Sequence, residues 1–217
     1  MRSPLFEGVP EETVSRLLSG ARRRAFSKGE VVFHDGDLGD TLHVIEKGRF
    51  RVRVTTFYGD IVTLVVLGEG DIFGELALLE VGAVRRGTVI ALEAGSTRAI
   101  HRTDFEDLRR RHPSINDVLL SILSQKVRRG TDQLVEALYV PAEIRVLKRV
   151  LELADLYGRG KRVAIVPLTQ EDVAGLAGTS RATVNRVLRK EEDRGHVSLE
   201  RGKIAVLDRE ALKRRSE

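Results

Sequence analysis

The sequence predicts an α+β chain built from an antiparallel β-roll of the jelly-roll type, a long helix and a winged helix-turn-helix, in that order. Three observations support this prediction. Short apolar segments separated by glycines fill residues 30–100, apolar residues recur every three or four positions after Pro113, and two short helices meet at Gly178. We place the three parts at residues 1–112, 113–140 and 141–217.

The first part is expected to begin with a short amphipathic helix at residues 11–22 and to continue as strands. The expected strands cover residues 31–33, 42–45, 50–54, 61–67, 88–92 and 97–100. Several short strands at this spacing, with glycines between them, are typical of an antiparallel barrel or jelly roll. A small barrel can hold one small ligand, so this part is a candidate effector domain.

The second part, residues 113–140, predicts one long helix. Apolar or small residues recur on it every three or four positions: Leu120, Leu123, Val127, Gly130, Leu134 and Ala137. This spacing favours a dimerisation helix that meets a second copy of itself over a helix packed on its own barrel. Gly130 costs about 1 kcal/mol relative to alanine inside a helix. We therefore expect a close approach there, to a ligand or to the partner helix.

The third part contains the segment 168–188, which predicts two helices joined at Gly178. Thr169 stands at an N-cap position with Asp172 three residues later, and Ser180 can cap the second helix. The second helix places Val184, Val187 and Leu188 on one face, where they would be buried. A hairpin that turns at Gly202 follows and predicts a wing.

The exposed face of the second helix carries arginine and asparagine, which bond guanine and adenine in the major groove. We therefore expect duplex DNA as the partner. The alternative is an ordinary helical hairpin with a solvated basic face. The residues expected to contact DNA are Thr169, Gln170, Ser180, Arg181, Ala182, Asn185, Arg186, Arg189, Arg201 and Lys203.

The excess of positive charge lies in the third part. From Pro141 onwards there are 17 Lys and Arg residues against 12 Asp and Glu, whereas residues 1–140 contain 20 of each kind. Neutralisation of DNA phosphates requires a surplus of cations, although a surplus this small does not show DNA binding by itself.

Composition excludes several classes of protein. The chain has no cysteine, which excludes disulfides, thiolate catalysis and iron–sulfur ligation by cysteine. No apolar segment approaches the ~20 residues that span a bilayer, and the N-terminus lacks the apolar core of a signal peptide. We therefore expect a cytoplasmic protein with no membrane partner. The five histidines lack metal-site spacing, and each is expected at the surface or hydrogen-bonded in the core: His34, His43, His101, His112 and His196.

The order of these parts resembles the cAMP receptor protein/fumarate-nitrate regulator family of bacterial transcription factors, over nearly the whole chain. The most specific pieces are Gly70–Ala77 (GDIFGELA), the arginine ten residues after Glu75, and Ser180–Val184 (SRATV). The resemblance implies a cyclic-nucleotide-type β-roll, a homodimer made by the central helix and a palindromic operator. It also implies that the ligand reorients the two recognition helices, and that RNA polymerase is a partner.

An effector site is expected where Gly74 precedes a short helical turn, because free backbone N–H groups there suit an anionic phosphate. By the resemblance, Glu75 accepts from a ribose hydroxyl and Arg85 pairs with the cyclic phosphate. The alternative is a tight turn at Gly74 beside a surface ion pair between Glu75 and Arg85. The residues assigned to the effector site are Gly74, Glu75, Leu76, Ala77, Arg85, Arg86 and Thr131.

Two positions depart from the family's pattern for cAMP. Arg86 stands where cAMP binders usually have serine or threonine, and Gly130-Thr131 stands where a Thr-Ser or Thr-Thr pair bonds adenine. If a strand has begun, Arg85 and Arg86 point to opposite faces and Arg86 is exposed. If both point inward, the extra cation favours a more anionic ligand or none. These departures leave three alternatives open: cAMP, another cyclic mono- or dinucleotide, or no effector at all.

The DNA reader departs from the family at one position. Ala182 replaces a glutamate that accepts from cytosine in the best-known members. Alanine has no polar group, so sequence preference at that base pair is expected to be relaxed or shifted towards a thymine methyl group.

The alternative functions are a metal-dependent enzyme and a constitutive DNA-binding regulator. A metal-dependent enzyme of the cupin type needs histidines and carboxylates clustered on neighbouring strands, and the predicted strands supply none. No nucleophile–base arrangement is visible either, so no catalysis is expected. A constitutive DNA-binding regulator whose β-roll binds no nucleotide stays open because of Arg86 and Gly130.

Overall fold

The computed structural model describes residues 10–78, 82–113, 115–158 and 161–217. Of Val14, Leu17, Ala77, Leu108, Ile115 and Val118 it describes the backbone alone. Contacts divide the chain into two compact units, Met1–Gly130 and Thr131–Glu217.

The first unit is a β-roll of two antiparallel sheets with helices at its ends. Its strands are β1 (Arg22–Phe26), β2 (Val31–Phe33), β3 (Thr41–Lys47), β4 (Phe50–Thr55), β5 (Ile61–Leu67), β6 (Ile72–Phe73), β7 (Thr88–Ala91) and β8 (Gly95–His101). One sheet has the order β1-β8-β3-β6 and the other the order β2-β7-β4-β5. Helix α1 (Glu11–Ser19) precedes the strands and α2 (Arg102–Arg111) follows them. The predicted antiparallel β-roll is confirmed.

Strand β3 shows how the core is divided, because consecutive side chains of a strand point to opposite faces. Leu42 and Val44 belong to a core cluster shared with Phe105 of α2. Ile45 belongs to a second cluster, which includes Phe50 and other aromatic and aliphatic side chains of the two sheets. The strand is therefore buried on both faces from Leu42 to Ile45, and its polar ends are not buried.

Two strands of the first unit were not predicted, and one helix is shorter than expected. Helix α1 ends at Ser19 rather than at residue 22, and Gly20 is its C-cap. Strand β1 follows at the edge of its sheet, where only Phe26 is buried and its arginines are exposed. A run of charged residues on an edge strand leaves no alternating apolar pattern in the sequence. Strand β6 is too short, at two residues, to give a periodic signal.

The long helix α3 (Ile115–Tyr139) lies within the predicted 113–140. Leu119 and Ile122 are buried in the core of the first unit. Three leucine or valine residues of the predicted seam are instead exposed, Leu120 by 61%, Val127 by 70% and Leu134 by 59%. The described part of the chain leaves open space within 4 Å of a Cβ added at Gly130. The expected close approach at that glycine therefore involves no described group of the same chain.

The second unit contains the end of α3 and a winged helix-turn-helix. Its elements are α4 (Ala142–Tyr157), β9 (Ala164–Val166), α5 (Gln170–Ala177), α6 (Arg181–Asp193), β10 (Val197–Glu200), β11 (Lys203–Val206) and α7 (Arg209–Ser216). The strands form an antiparallel sheet of order β10-β11-β9. Helix α7 was not predicted, because its short segment is rich in charged residues. No helix in the described ranges combines the length and the apolar character needed to cross a membrane.

Candidate functional site

A tight turn in the first unit brings Gly74 against Arg85. Gly74 follows β6 with φ of +80°, and the 3-10 turn Glu75–Leu78 comes next. A Cβ added at Gly74 would lie 2.6 Å from Arg85 Nη1 and 2.8 Å from the carbonyl oxygen of Thr41. Both the positive φ and this close approach require glycine. Glycine at position 74 therefore allows the arginine to approach the backbone.

The guanidinium of Arg85 is held rigidly. Its Nη1 donates to the carbonyl oxygens of Thr41 at 2.8 Å and Gly74 at 3.2 Å, and its Nη2 donates to Thr41 Oγ1 at 2.8 Å. The central guanidinium carbon, Cζ, lies 4.1 Å from the ring centre of Phe33. Burial lowers the pKa of Arg85 from its ordinary value, against the opposing effect of Asp40 and Glu75. Among the described residues its buried Nε has no hydrogen-bond partner.

Arg85 and its neighbour Arg86 lie in different environments. Arg85 is 6% exposed, whereas Arg86 is exposed. Strand β7 begins only at Thr88, yet the two arginines already differ as alternating residues would. The arrangement with both arginines pointing inward is therefore not observed.

The carboxylate of Glu75 is the second charged group of this site. Glu75 is 5% exposed, and its Oε2 lies 2.7 Å from Nζ of Lys126 on α3. Because Glu75 and Arg85 are both buried, the alternative of a surface ion pair between them is wrong. Lys126 was not predicted, since its place beside Glu75 depends on how α3 packs on the β-roll.

The remaining residues assigned to the effector site differ in how they are placed. Leu76 is 47% exposed, and the side chain of Ala77 lies outside the described residues. Thr131 is exposed and belongs to the second unit, so its part in an effector site stays a prediction.

His43 departs from the expectation that each histidine is exposed or fully hydrogen-bonded. It is 1% exposed, its ring stacks on Phe73 at 4.9 Å, and its Nδ1 lies 3.0 Å from Thr97 Oγ1. Its Nε2 is buried and has no partner among the described residues. Burial, followed by the charges of Arg24 and Arg85, lowers the pKa of His43 from 6.5 to about 3. The imidazole is therefore neutral in the folded protein.

The neutral His43 predicts a dependence of stability on pH. Its pKa is lower in the folded chain than in the unfolded chain, so the unfolded chain binds the extra proton below about pH 6.5. The full contribution is present above that pH and is lost as the pH falls towards 3. We expect the free energy of unfolding of the wild type to fall more steeply than that of His43→Leu, by up to about 1.4 kcal/mol per pH unit. Denaturant unfolding between pH 7.5 and 4.5 measures the difference.

The exposed His34 provides the control for this prediction. His34→Leu should keep the steeper pH dependence of the wild type. Parallel stability curves for the wild type and His43→Leu would contradict a neutral buried imidazole.

The helix-turn-helix is built as the sequence predicts. Thr169 caps α5 and forms a capping box with Asp172, whose backbone N–H donates to Thr169 Oγ1 at 3.2 Å. Gly178 ends α5 in the left-handed conformation, with φ of 57°. Ser180 caps α6 by accepting from the backbone N–H of Thr183 at 3.2 Å. Val184, Val187 and Leu188 of α6 are buried, which confirms the predicted inward face.

A groove of about 580 Å³ lies between α6 and the wing. Seven residues predicted to contact DNA line it, contributed by the start of α5, by α6 and by the hairpin: Thr169, Gln170, Arg181, Asn185, Arg189, Arg201 and Lys203. Ser180, Ala182 and Arg186 are exposed and do not line it. The structure therefore gathers most of the predicted DNA contacts at one concave surface.

Several cations and amides of this surface have polar partners within the chain. Arg186 Nη2 lies 3.3 Å from Glu143 Oε1, and Lys203 Nζ lies 2.8 Å from Glu200 Oε2. Asn185 Nδ2 donates to Gln170 Oε1 at 3.0 Å. Because exposed ion pairs contribute only about 0–1 kcal/mol, a phosphate or base can replace these partners at little cost.

Arg145 on α4 is an important residue that the sequence did not predict. Its guanidinium donates to the carbonyl oxygens of Val140 at 2.7 Å and Ala137 at 3.2 Å at the end of α3. It also donates to the carbonyl oxygens of Ala177 at 2.9 Å and Gly178 at 3.0 Å, at the end of α5. One cation therefore satisfies the carbonyls of two helix C-termini, where positive charge is favoured.

No group of three or more potential metal ligands occurs in the part of the chain that the structure describes.

Comparison with known proteins shows the family to which the chain belongs. The cyclic nucleotide-binding domain family matches residues 23–112, and the Crp-like helix-turn-helix domain family matches residues 144–215. The Cyclic AMP receptor protein of Thermus thermophilus is 35% identical over 207 residues, covering 94% of this chain and 92% of the relative. The CRP-like cAMP-activated global transcriptional regulator of Mycobacterium tuberculosis is 29% identical, covering 99% and 97%.

A solved structure agrees with the sequence comparisons. The crystal structure of the Thermus thermophilus Catabolite Activator Protein has a TM-score of 0.57 and 32% identity, and the match covers 99% of this chain and 98% of that one. The matched proteins are transcription regulators rather than enzymes, so the cupin-type interpretation is not supported. With its cyclic nucleotide-binding domain and its Crp-like helix-turn-helix, the chain belongs to the CRP/FNR family of transcriptional regulators.

Proposed function

We propose that the protein is a homodimeric regulator that binds a palindromic operator and responds to a cyclic nucleotide held in the β-roll. The observation that carries the effector part is the buried pair of Arg85 and Glu75 beside Gly74. A rigid guanidinium suits an anionic phosphate, and a carboxylate suits a donor hydroxyl group. A cyclic nucleotide presents both groups a few ångströms apart.

The placement of Arg86 supports a cyclic mononucleotide over a more anionic dinucleotide. With Arg86 exposed, the site has Arg85 as its buried cation, and the carboxylate of Glu75 is already balanced by Lys126. A single phosphate charge then matches the site. Two of the relatives carry cyclic AMP in their names, which supports cAMP as the first ligand to test.

The exposed apolar residues of α3 support the homodimer. Leu120, Val127 and Leu134 follow the spacing of a coiled-coil seam and are more than half exposed. Burying such side chains against a second copy stabilises the pair by roughly 1.5–3 kcal/mol per large apolar residue. A symmetric dimer would present two α6 helices to two half-sites of a palindrome.

We also propose RNA polymerase as a protein partner and the cytoplasm as the location. A regulator that binds next to a promoter meets RNA polymerase there, which makes the polymerase its protein partner. Because the relatives are bacterial transcription regulators, we place the protein in the cytoplasm, where bacterial DNA lies.

One experiment tests the proposed function as a whole. Bound sequences are selected from random duplexes by purified protein, without a nucleotide and with cAMP, cGMP or cyclic dinucleotides. A regulator of this type enriches a palindrome, and one nucleotide strengthens the enrichment. Equal enrichment in all samples would favour the constitutive regulator, and no enrichment in any sample would contradict DNA binding.

Arg186 provides a specific prediction about the DNA reader. Its side chain is 60% exposed on α6. If the side chain turns towards a base, it breaks its ion pair with Glu143, which is itself exposed. We expect Arg186→Ala to weaken operator binding by about 1–3 kcal/mol and to relax preference at one position of each half-site. A repeated selection with the variant measures the preference. Retention of the full wild-type preference would contradict a base contact by this arginine.

A further inference from the structure

The last turn of α6 carries a carboxylate that joins both walls of the DNA-facing groove. Glu192 Oε2 accepts from Arg189 Nη1 at 2.6 Å, and Glu192 Oε1 accepts from the backbone N–H of Leu199 at 2.8 Å. Arg189 lines the groove from α6, and Leu199 lines it from β10. One side chain therefore fixes a predicted DNA contact and the strand that leads to the wing tip.

The charge of Glu192 is secured by its two partners. The hydrogen bond from the backbone N–H of Leu199 lowers the pKa of Glu192, and the bond from Arg189 lowers it further. Glu192 is therefore ionised at neutral pH. Its side chain is 26% exposed, whereas that of Arg189 is 62% exposed, so the carboxylate is the less accessible member of the pair.

The neighbouring residue, Glu191, holds the same helix end from its other side. It is 1% exposed, and its carboxylate accepts from Arg194 Nη1 at 2.7 Å and from Arg215 Nε at 2.8 Å. Its second oxygen lies 2.8 Å from His196 Nδ1. Burial by itself would raise the pKa of Glu191, but the bonds from His196 and Arg215 hold it below its ordinary value. The backbone that carries Glu192 is thus anchored to α7 and to the turn before β10.

The electrostatic position of Glu192 is otherwise unfavourable for a DNA-binding surface. A carboxylate near duplex DNA repels the phosphates and lowers affinity for every sequence. Any benefit of Glu192 to DNA recognition must therefore come from something other than general affinity. Two fixed hydrogen bonds, one to the reading arginine and one to the wing strand, provide orientation.

We propose that Glu192 is a positioning residue that sets the sequence specificity of the DNA reader. It restricts the direction of Arg189 and keeps the wing at a fixed distance from α6. This inference rests on the proposed function, because it takes Arg189 as a DNA contact.

The test compares Glu192→Gln with a matched control, Glu171→Gln. Glu171 is an exposed acid that lines the groove, and Glu192 is bonded to two residues that line it, so each variant removes one negative charge at or beside the groove. Glu171→Gln should raise affinity for the operator and for random duplex by the same factor, about two- to fivefold. Glu192→Gln should raise affinity for random duplex similarly but lower the ratio of operator to random affinity about tenfold.

A selection of bound sequences locates the lost preference. With Glu192→Gln, the loss should fall at the same base pair that loses preference in Arg189→Gln, and the double variant should lose no more than either single one. A reduced active fraction of a poorly folded variant would weaken operator and random binding equally. The operator-to-random ratio therefore separates positioning from a merely structural role.

The selection distinguishes failure of the positioning role from failure of the proposed function. If the wild type prefers a palindrome and Glu192→Gln keeps the same ratio as Glu171→Gln, the positioning role is overturned while the proposed function stands. If the wild type itself shows no preference among duplexes, the proposed function fails, and the positioning role fails with it.

Discussion

Arg85→Ala is expected to lower the affinity for the cyclic nucleotide by about a hundredfold or more. The guanidinium is 6% exposed and is held by Thr41 and Gly74, so it needs little reordering when an anion arrives. A hydrogen bond between charged groups contributes about 1.5–3 kcal/mol, and a guanidinium can make two to one phosphate. Loss of both corresponds to a hundredfold or greater weakening. Calorimetric titration with cAMP measures the change.

Arg86 supplies the matched control for this expectation. It is the same residue type one position later, but it is exposed. Arg86→Ala should change nucleotide affinity less than about threefold, as expected for an exposed charge. Equal losses in Arg85→Ala and Arg86→Ala would contradict the assignment of the phosphate to the buried arginine alone.

Arg145→Ala is expected to destabilise the DNA-binding unit by about 2–4 kcal/mol. The substitution removes the donor to backbone carbonyls at the ends of α3 and α5, including those of Val140 and Ala177. Hydrogen bonds from a charged group contribute about 1.5–3 kcal/mol, and the charge also favours both helix C-termini. Since α5 and α6 form the helix-turn-helix, operator affinity should fall together with stability.

Amide hydrogen exchange resolves this effect by element. Exchange should accelerate in α5 and α6 of Arg145→Ala, and Arg145→Lys should restore only part of the protection because lysine cannot reach all these carbonyls at once. Arg214→Ala, an exposed substitution on α7, is the control and should leave the exchange unchanged. Unchanged protection of α5 and α6 in Arg145→Ala would contradict a stabilising role for the hydrogen bonds between Arg145 and the ends of α3 and α5.

Local signals made the DNA-binding motif predictable from sequence. The cap at Thr169, the left-handed Gly178 and the cap at Ser180 each depend on residues within a few positions of one another. The buried face of α6 follows from helical periodicity alone. Such features are determined by residues close together in the sequence, and the structure agrees with each of these predictions.

Features that depend on distant parts of the chain were not predictable in the same way. Arg145 bonds carbonyls at residues 32 and 33 positions away, and Lys126 reaches Glu75 across 51 positions. No periodic pattern marks either residue. The neutral state of His43 likewise follows from its burial and from the charges of Arg24 and Arg85, which only the fold brings together.

The effector site is an intermediate case. The motif and its resemblance to the family's sequence pattern identify Gly74, Glu75 and Arg85 as site residues. Their burial and their hydrogen-bond partners are known only from the fold. The burial of Arg85 depends on its bonds to Thr41 of β3 and to Gly74, and that of Glu75 accompanies its contact with Lys126. Arg86, the next residue after Arg85, is exposed. A motif indicates which residues to examine, and packing decides which of them can meet a ligand.

The most direct test of the central claim measures binding of the selected palindromic duplex to purified protein at a fixed salt concentration, without and with cyclic nucleotide. Fluorescence anisotropy gives the affinity, and sedimentation gives the number of chains per duplex. The proposed mechanism predicts two chains per duplex and tighter binding with nucleotide, because a ligand that prefers the DNA-competent state shifts the population towards it. A single chain with no affinity for the duplex, whatever nucleotide is present, would contradict it.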